Sequence, residues 1–465
     1  MFSALIFYFY EIKSINRIII NFQNNFKILL DEFKLLVYTI WEDRYFLYKG
    51  EIILSRIAFL GGLLIDCTGK EPIENSLLIV NDKKIEYVGP MKDIEGECEK
   101  IDITGKTIMP GLIDTHLHFS GNRTDNDSDW VLEPVTQKTI VAVAQAREAL
   151  EHGLTSVGEI SRSGIDLRNM IEEGIIPGPR IVTSGLGFCR TAGHGDSHKL
   201  PLEYNNASHP WAERVDGPWE LRKAVRKRLR ENPDAIKIWS TGGGIWRHDA
   251  KAAPHYCMEE IQAVVDEANM VGLPVWSHAE GYEGALDSCK AGVSAIIHGQ
   301  ELNEECLEIM KEKDITFCPT LQFFYEWFTV YEPPYRPIHD KYPGKTTAEK
   351  ELNRIVDNLQ NANKKGIRIT VGSDSFCSSL TPYGKYAITE MYTLNKSGLT
   401  EMETLLAATK NGAEMLRIDE ITGTLEEGKF ADIIVLQENP LKDIHNVNTD
   451  GMDIIMKEGT FIKRK

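Results

Sequence analysis

From Ile57 onward the chain is a succession of short apolar runs, separated by turn residues and by charged stretches with helical spacing. Four early runs, Ile57–Leu60, Ser76–Val80, Lys84–Val88 and Thr107–Met109, are divided by Gly, Asn and Asp and predict short β-strands. Two late runs, Asp432–Leu436 and Ile454–Met456, have the same character, with Gly451 and Gly459 at turns. Both flanks are therefore expected to build one small β-sandwich domain, residues 54–108 with 420–465, around an inserted domain at 109–419. Eight further runs fill the centre: Ile108–His118, Leu154–Ile160, Arg180–Gly185, Ala235–Thr241, Pro274–His278, Ser294–His298, Ile315–Leu321 and Arg368–Asp374. Charged helical patterns such as Glu220–Glu231, Glu259–Val271 and Glu349–Lys365 lie between them. Thr400 and Glu403 fit a capping box ahead of a helix expected over Leu405–Leu416. Strands alternating with helices imply a parallel sheet, and eight such units predict an α/β fold of the closed (β/α)8 TIM-barrel type.

Residues 1–53 differ in character: rich in Phe, Tyr, Ile and Asn, without Pro, and without Gly before Gly50. The apolar run Phe2–Tyr10 is too short to span a bilayer and lacks the flanks of a signal peptide. The segment reads either as a peripheral helical extension or as translated leader. The codons for Lys49-Gly50-Glu51 can contain a purine-rich ribosome-binding sequence. Leu54 can be a TTG start, so the native protein is expected to begin there.

The chain of 465 residues is ordinarily globular, 42% hydrophobic and 26% charged, with a net charge of −17 and no long basic cluster. That balance argues against nucleic acid or an anionic membrane as partner and favours a small molecule, leaving homo-oligomerisation open. Eight scattered cysteines without a C-x-x-C pair suit neither a zinc ribbon nor a disulfide framework, and fit the cytoplasm.

The chemistry gathers at strand ends. His116 and His118 stand two apart, so both imidazoles leave the same face of a strand. His278 ends the fifth run, His298 the sixth and Asp374 the eighth. Singly, each has a bland explanation: an edge histidine, a core histidine or an N-cap. Together they fall at the end of a barrel where active sites are built. Lys237 is the misfit. Between Ile236 and Ile238 on a buried strand, its charge must be matched or removed. Reaction with carbon dioxide would make an anionic carbamate able to bridge two cations; a snorkelling or ion-paired lysine is the alternative.

These residues carry a resemblance. The segments G-K-T-I-M-P-G-L-I-D-T-H-L-H, T-A-G-H-G-D, A-I-K-I-W, S-H-A-E, I-I-H-G and G-S-D are similar to those of the amidohydrolase superfamily. So is the tail G-T-L-E-E-G-K-F-A-D-I-I-V-L. In look the chain resembles the imidazolonepropionase-related and prolidase-like members, including ochratoxinase-type amidases. It departs from the family's strand-4 glycine motif, where Gly242-Gly243-Gly244 is followed by Ile245-Trp246-Arg247-His248. The resemblance implies a site for two divalent metal ions, commonly zinc. His116, His118 and Asp374 would hold one, His278 and His298 the other, with Lys237 bridging them as N6-carboxylysine. It further implies metal-dependent hydrolysis of a C–N bond by a metal-bridged hydroxide, with Asp374 moving the proton.

His194, just past the third strand, is expected either to hydrogen-bond the reacting carbonyl or to be a loop histidine fixed by Asp196. Arg190 and Arg247 could hold a substrate carboxylate in bidentate fashion, or be surface arginines. Trp239, Phe323 and Phe324 could line an apolar pocket; Phe323–Phe328 could equally be helix core. Three functions stay in play. One is an amide or peptide hydrolase acting on a dipeptide or N-acyl amino acid. Another is a cyclic amidohydrolase or deaminase acting on a heterocycle. The third is a non-catalytic assembly protein, disfavoured by the retention of all six metal-competent positions.

Overall fold

The computed structural model describes residues 56–198, 200–202, 211–244, 248–250, 253–329 and 348–465. The expectations about residues 1–53 and the start at Leu54 lie outside them.

The first strands are β1 (Arg56–Leu60), β2 (Leu63–Leu64), β3 (Ser76–Asn81), β4 (Lys84–Pro90), β5 (Glu99–Asp102) and β6 (Thr107–Pro110). Asp82, in the left-handed region at φ 55°, turns β3 back onto β4, a conformation that a short polar side chain tolerates better than most. Four of these strands form one sheet in the order β4-β3-β1-β5. The second sheet unites the two flanks of the chain. Its order is β18-β17-β16-β6-β2, with β16 (Ile433–Leu436), β17 (Met452–Lys457) and β18 (Thr460–Arg464). Ile108 lies opposite Val435 and Met109 opposite Ile434 in antiparallel register. Phe59, Leu78, Val80, Ile108, Ile433, Val435 and Met456, drawn from both sheets, share one buried apolar cluster.

Between the flanks, the strand ladders among the described residues are parallel. β7 (Leu112–Leu117), β8 (Leu154–Glu159) and β9 (Arg180–Thr183) form one sheet. A second has the order β11-β10-β12-β13-β14-β15. Its members are β10 (Gly187–Cys189), β11 (Ala212–Arg214), β12 (Ile236–Trp239), β13 (Val275–Ala279), β14 (Ala295–His298) and β15 (Thr316–Cys318). Every residue of β7, β8, β12, β13 and β14 is buried, as expected of parallel strands covered on both faces. Helices lie between the strands, and each buries one stripe. In Met258–Asn269 the stripe is Ile261, Val264, Val265 and Ala268. The Thr400–Glu403 capping box is present in both directions.

Three sequence expectations change in detail. The run Ile108–His118 is two strands rather than one. Thr107–Pro110 joins the flank sheet, and the chain passes to β7 at Gly111, where a Cβ would sit 2.3 Å from the Thr155 side chain. Arg368–Asp374 forms no ladder of its own. It is an extended segment with isolated parallel bridges, Phe317 to Ile369 on one side and Leu117 to Ser375 on the other. The helix expected over Leu405–Leu416 is broken, giving Glu401–Ala407 and Lys410–Leu416. At the break the carbonyls of Ala407 and Ala408 accept hydrogen bonds from Val371 and Ile113 instead of closing helical turns.

Among the described residues no helix is long and apolar enough to cross a membrane. The close seam between β7 and β8 makes a prediction. A Cβ on Gly158 would stand 2.4 Å from the Thr115 carbonyl oxygen, a backbone atom that cannot step aside. Gly158→Ala should therefore lower stability by about 1–3 kcal/mol, read as a fall in thermal midpoint against wild type; an unchanged midpoint would mean that the seam has slack.

Candidate metal centre

Strand alternation sends Asp114, His116 and His118 to one side of β7. The segment ending at Asp374 runs alongside, and the Asp374 N–H donates to the His116 carbonyl at 2.8 Å. Asp374 Oδ1 lies 3.2 Å from both His116 Nε2 and His118 Nε2. The donor atoms of these three residues lie within 4.8 Å of one another. His278 near the end of β13 and His298 at the end of β14 complete a cluster of rings. The centroids of His278 and His298 are 4.4 Å apart, those of His116 and His298 5.5 Å, and those of His116 and His118 5.0 Å. Two of these residues are aimed by uncommon backbone: φ is 76° at His298 and 54° at Asp374. Left-handed conformations of non-glycine residues are costly and gather at functional sites.

The hydrogen bonds fix which ring nitrogens are free to bind. His118 Nδ1 meets the Ile160 carbonyl at 2.7 Å, and a carbonyl only accepts, so Nδ1 carries the hydrogen and Nε2 the lone pair. His298 Nδ1 meets Thr320 Oγ1 at 2.7 Å, while that hydroxyl donates to the Pro319 carbonyl at 2.8 Å. Nδ1 is again the donor, leaving Nε2 as acceptor. His278 donates from Nε2 to the Gly242 carbonyl at 3.3 Å, leaving Nδ1. Burial drives the His116 pKa down to about 3, and holds His278 and His298 well below the ordinary histidine value. Asp374 resists burial: the His116 and His118 rings beside it hold its carboxyl well below the usual carboxylate range. Neutral imidazoles and one carboxylate form an electron-rich donor set. Lone-pair atoms held 3.2 Å from a carboxylate oxygen call for a positive charge between them. This set fits divalent metal ions of the zinc type.

Lys237 is 1% exposed, on β12. Its amine makes no hydrogen bond among the described residues and lies 5.2 Å from the Trp239 ring. Burial lowers its pKa to about 7, against the pull of Asp374. Asp114 supports the cage from beneath: Oδ1 accepts the N–H groups of His116 and Ser373, each at 3.0 Å, tying β7 to the segment that carries Asp374.

The remaining predicted residues divide. His194 lies flat on His278, with centroids 4.8 Å apart and planes at 25°. Its Nδ1 is bound at 2.9 Å by Asp249. The expected anchor, Asp196, instead accepts from the Ala192 N–H at 2.8 Å, because the chain turns at Ala192 and Gly193 and folds its carboxylate back onto the loop. Burial opposes protonation of His194, but Asp249 carries its pKa above the ordinary value. Arg190 is half-buried, with Nε lacking a partner among the described residues. Trp239 is buried, its ring 6.5 Å from that of His278. Arg247 lies outside the described residues.

Asp249 and two aromatic residues, Trp211 and Phe376, were not foreseen. A continuous series of ring contacts runs from His118 to Trp211 (5.4 Å), Phe376 (6.3 Å), Phe323 (6.2 Å), Phe324 (5.5 Å) and back to His298 (5.6 Å). Phe324 is core, as the helical alternative held, whereas Phe323 is half-buried. Phe376 follows Asp374 by two residues, so its place was within reach of the sequence; nothing local marks Trp211.

The hydroxyl of Thr320 is the orienting partner of His298. Thr320→Val should keep the shape and lower metal affinity about 10- to 100-fold, measured by competition with a chelator; unchanged affinity would detach that hydroxyl from the site.

The amidohydrolase family model matches residues 107–462. An ochratoxinase of Aspergillus niger is 32% identical over 402 residues, covering 82% of this chain and 81% of that protein. The crystal structure of A. niger ochratoxinase matches at a TM-score of 0.78 and 27% identity, covering 88% of this chain and 96% of that one. A Xaa-Pro dipeptidase, solved with methionine in its active site, matches at 0.74 and 27% identity, covering 88% and 100%. An imidazolonepropionase of Rhizobium rhizogenes is 23% identical over 421 residues, covering 82% of this chain and 91% of its own. With a family model spanning most of its length and a relative above 30% identity over four-fifths of both chains, this protein belongs to the amidohydrolase family.

Proposed function

We propose that the chain hydrolyses the amide bond of a dipeptide or N-acyl amino acid bearing a large apolar group. As a member of the amidohydrolase family, similar to an amide-cleaving ochratoxinase and a Xaa-Pro dipeptidase, it is a metal-dependent hydrolase of carbon–nitrogen bonds. The observation that carries the reading is the convergence of buried His116, His118, His278, His298 and Lys237 with half-buried Asp374 in one cluster. His116, His118 and Asp374 would hold one divalent ion and His278 and His298 a second, with zinc suited to the nitrogen-rich set. When bound, such ions supply a water acidified to a pKa of about 7 and a Lewis acid for the carbonyl oxygen.

Lys237 would complete the cage as a carbamate. An amine with a pKa near 7 is partly uncharged at neutral pH, and the free amine is the form that adds to carbon dioxide. Its nitrogen bonds to the carbon of CO2, one proton leaves to solvent, and an anionic carboxylate remains on the side chain. The buried cation is thereby replaced by an anion facing the neutral imidazoles.

Asp374 is ionised, with Oδ1 3.2 Å from Nε2 of both His116 and His118. It takes the proton of the attacking water and returns it to the departing nitrogen. His194, beside His278, is placed to hydrogen-bond the reacting carbonyl group. The aromatic series through Trp211, Phe376 and Phe323 offers an apolar wall to one side of the site, and Arg190 a cation for a substrate carboxylate.

The same reading closes the frame. The segment 368–375 bridges β15 and β7 in parallel and would complete a (β/α)8 barrel over 109–419. The two flank sheets with their common apolar cluster would be a sandwich domain of 54–108 and 420–465. All eight cysteines are free, which fits a cytoplasmic protein.

The zinc-loaded enzyme should cleave N-acyl amino acids and dipeptides with aromatic or large aliphatic side chains faster than their glycyl counterparts. Preferential turnover of a cyclic imide or aminated heterocycle would move the assignment toward the imidazolonepropionase-like alternative. Asp374→Asn should keep much of the metal while kcat falls on the order of 10²-fold and the acidic limb of the pH profile disappears. Full kcat in that variant would leave Asp374 as a ligand only.

A further inference from the structure

Asp249 is among the buried carboxylates that neither the ligand set nor the mechanism uses. Asp249 is fully buried in the loop that follows β12, and belongs to neither proposed metal set. Its own loop holds it. Oδ1 accepts the Gly243 N–H at 3.0 Å, and its main-chain carbonyl accepts the Gly244 N–H at 2.7 Å. Oδ2 accepts Nδ1–H of His194 at 2.9 Å. His255 is buried behind it, with Nε2 3.6 Å from Oδ1. On one face the His194 ring is stacked on His278. Elsewhere it meets the backbone of Gly243 so closely that a Cβ there would stand 2.1–2.6 Å from three ring atoms. Stacking sets the plane of the ring, the glycine gives it room, and the carboxylate chooses which nitrogen turns inward.

We infer that Asp249 is a positioning residue. By taking up Nδ1–H it fixes the rotation of His194, so that Nε2, and not Nδ1, is presented to the substrate's reacting carbonyl group. The inference rests on the reading above that His194 meets the substrate. Glycines and a carboxylate in the loop after the fourth barrel strand thus set the direction of a side chain from the loop after the third. The carboxylate acts through geometry and touches neither substrate nor the proposed metal ligands.

The test is a double-mutant cycle on the metal-loaded enzyme, with metal content and thermal midpoint measured for every variant. His194→Ala is expected to lower kcat on the order of 10²-fold. Asp249→Asn preserves volume but sets an amide N–H against either the Gly243 N–H or Nδ1–H of His194, so the ring turns. Asp249→Asn and Asp249→Ala should each lower kcat by 10-fold or more on the order expected for a misaligned group, with KM within a few-fold and metal content unchanged. Combined with His194→Ala, either Asp249 change should cost nothing further, because the group it positions is gone. Multiplicative effects in the double variant, or wild-type kcat in both Asp249 variants beside a slow His194→Ala, would overturn the inference alone. Loss of metal in the Asp249 variants would also overturn it, making Asp249 part of the cage's support. A His194→Ala enzyme with full kcat would remove His194 from the substrate site, and Asp249's role with it, while leaving metal-dependent hydrolysis standing.

Discussion

A buried lysine amine close enough to three histidines, His116, His278 and His298, to be felt by each is the constraint on which the rest of the site depends. Lys237 stands on a strand covered on both faces, without a hydrogen bond among the described residues. A full positive charge there costs far more than a single aspartate at a distance can offset. Its field also pushes His116, His278 and His298 toward the neutral state, which is the state that binds metal. A neutral amine meets the first demand, and an anionic carbamate answers both by giving the imidazoles a reason to hold cations. Without an anion on this strand, the cluster would have one carboxylate, Asp374, to offset the charge of the two proposed divalent ions.

The frame exists to hold that cage without slack. Parallel strands buried on both faces give each of these side chains a fixed height and a fixed side. The last of them gives way where it matters: the segment ending at Asp374 leaves regular strand geometry, and its left-handed residue turns the carboxylate onto two histidines at once. His298 adopts a similar conformation at the end of β14. Such backbone persists only where neighbours over-determine it. The neighbours here are Asp114, which joins both walls through two N–H groups, and Thr320, which holds the His298 ring.

Much of this was legible in the residue pattern because the alternation of parallel strands and helices repeats one rule: apolar strand, polar strand end, amphipathic helix. Spacing alone put His116 and His118 on one face, and Lys237 betrayed itself by sitting between two isoleucines. What the pattern missed depends on contacts between distant segments. Asp249 replaces Asp196 as the partner of His194 because two loops meet in space, over a separation of 55 residues. The run Ile108–His118 looks continuous, yet Gly111 divides it between two sheets, since apolar residues are equally at home in either. The break after Ala407 is invisible to helix propensity because strand N–H groups capture the carbonyls. Trp211 joins the aromatic wall from a stretch with no periodic pattern.

The claim most exposed to experiment is that Lys237 binds metal only after taking up carbon dioxide. The protein would be stripped with chelator, equilibrated in buffer purged of CO2, and given zinc with or without bicarbonate. Two metal ions per chain and full amide hydrolysis are expected to return only with bicarbonate, and Lys237→Ala is expected to recover neither. Full occupancy and activity in CO2-free buffer, or in the Lys237→Ala variant, would contradict it.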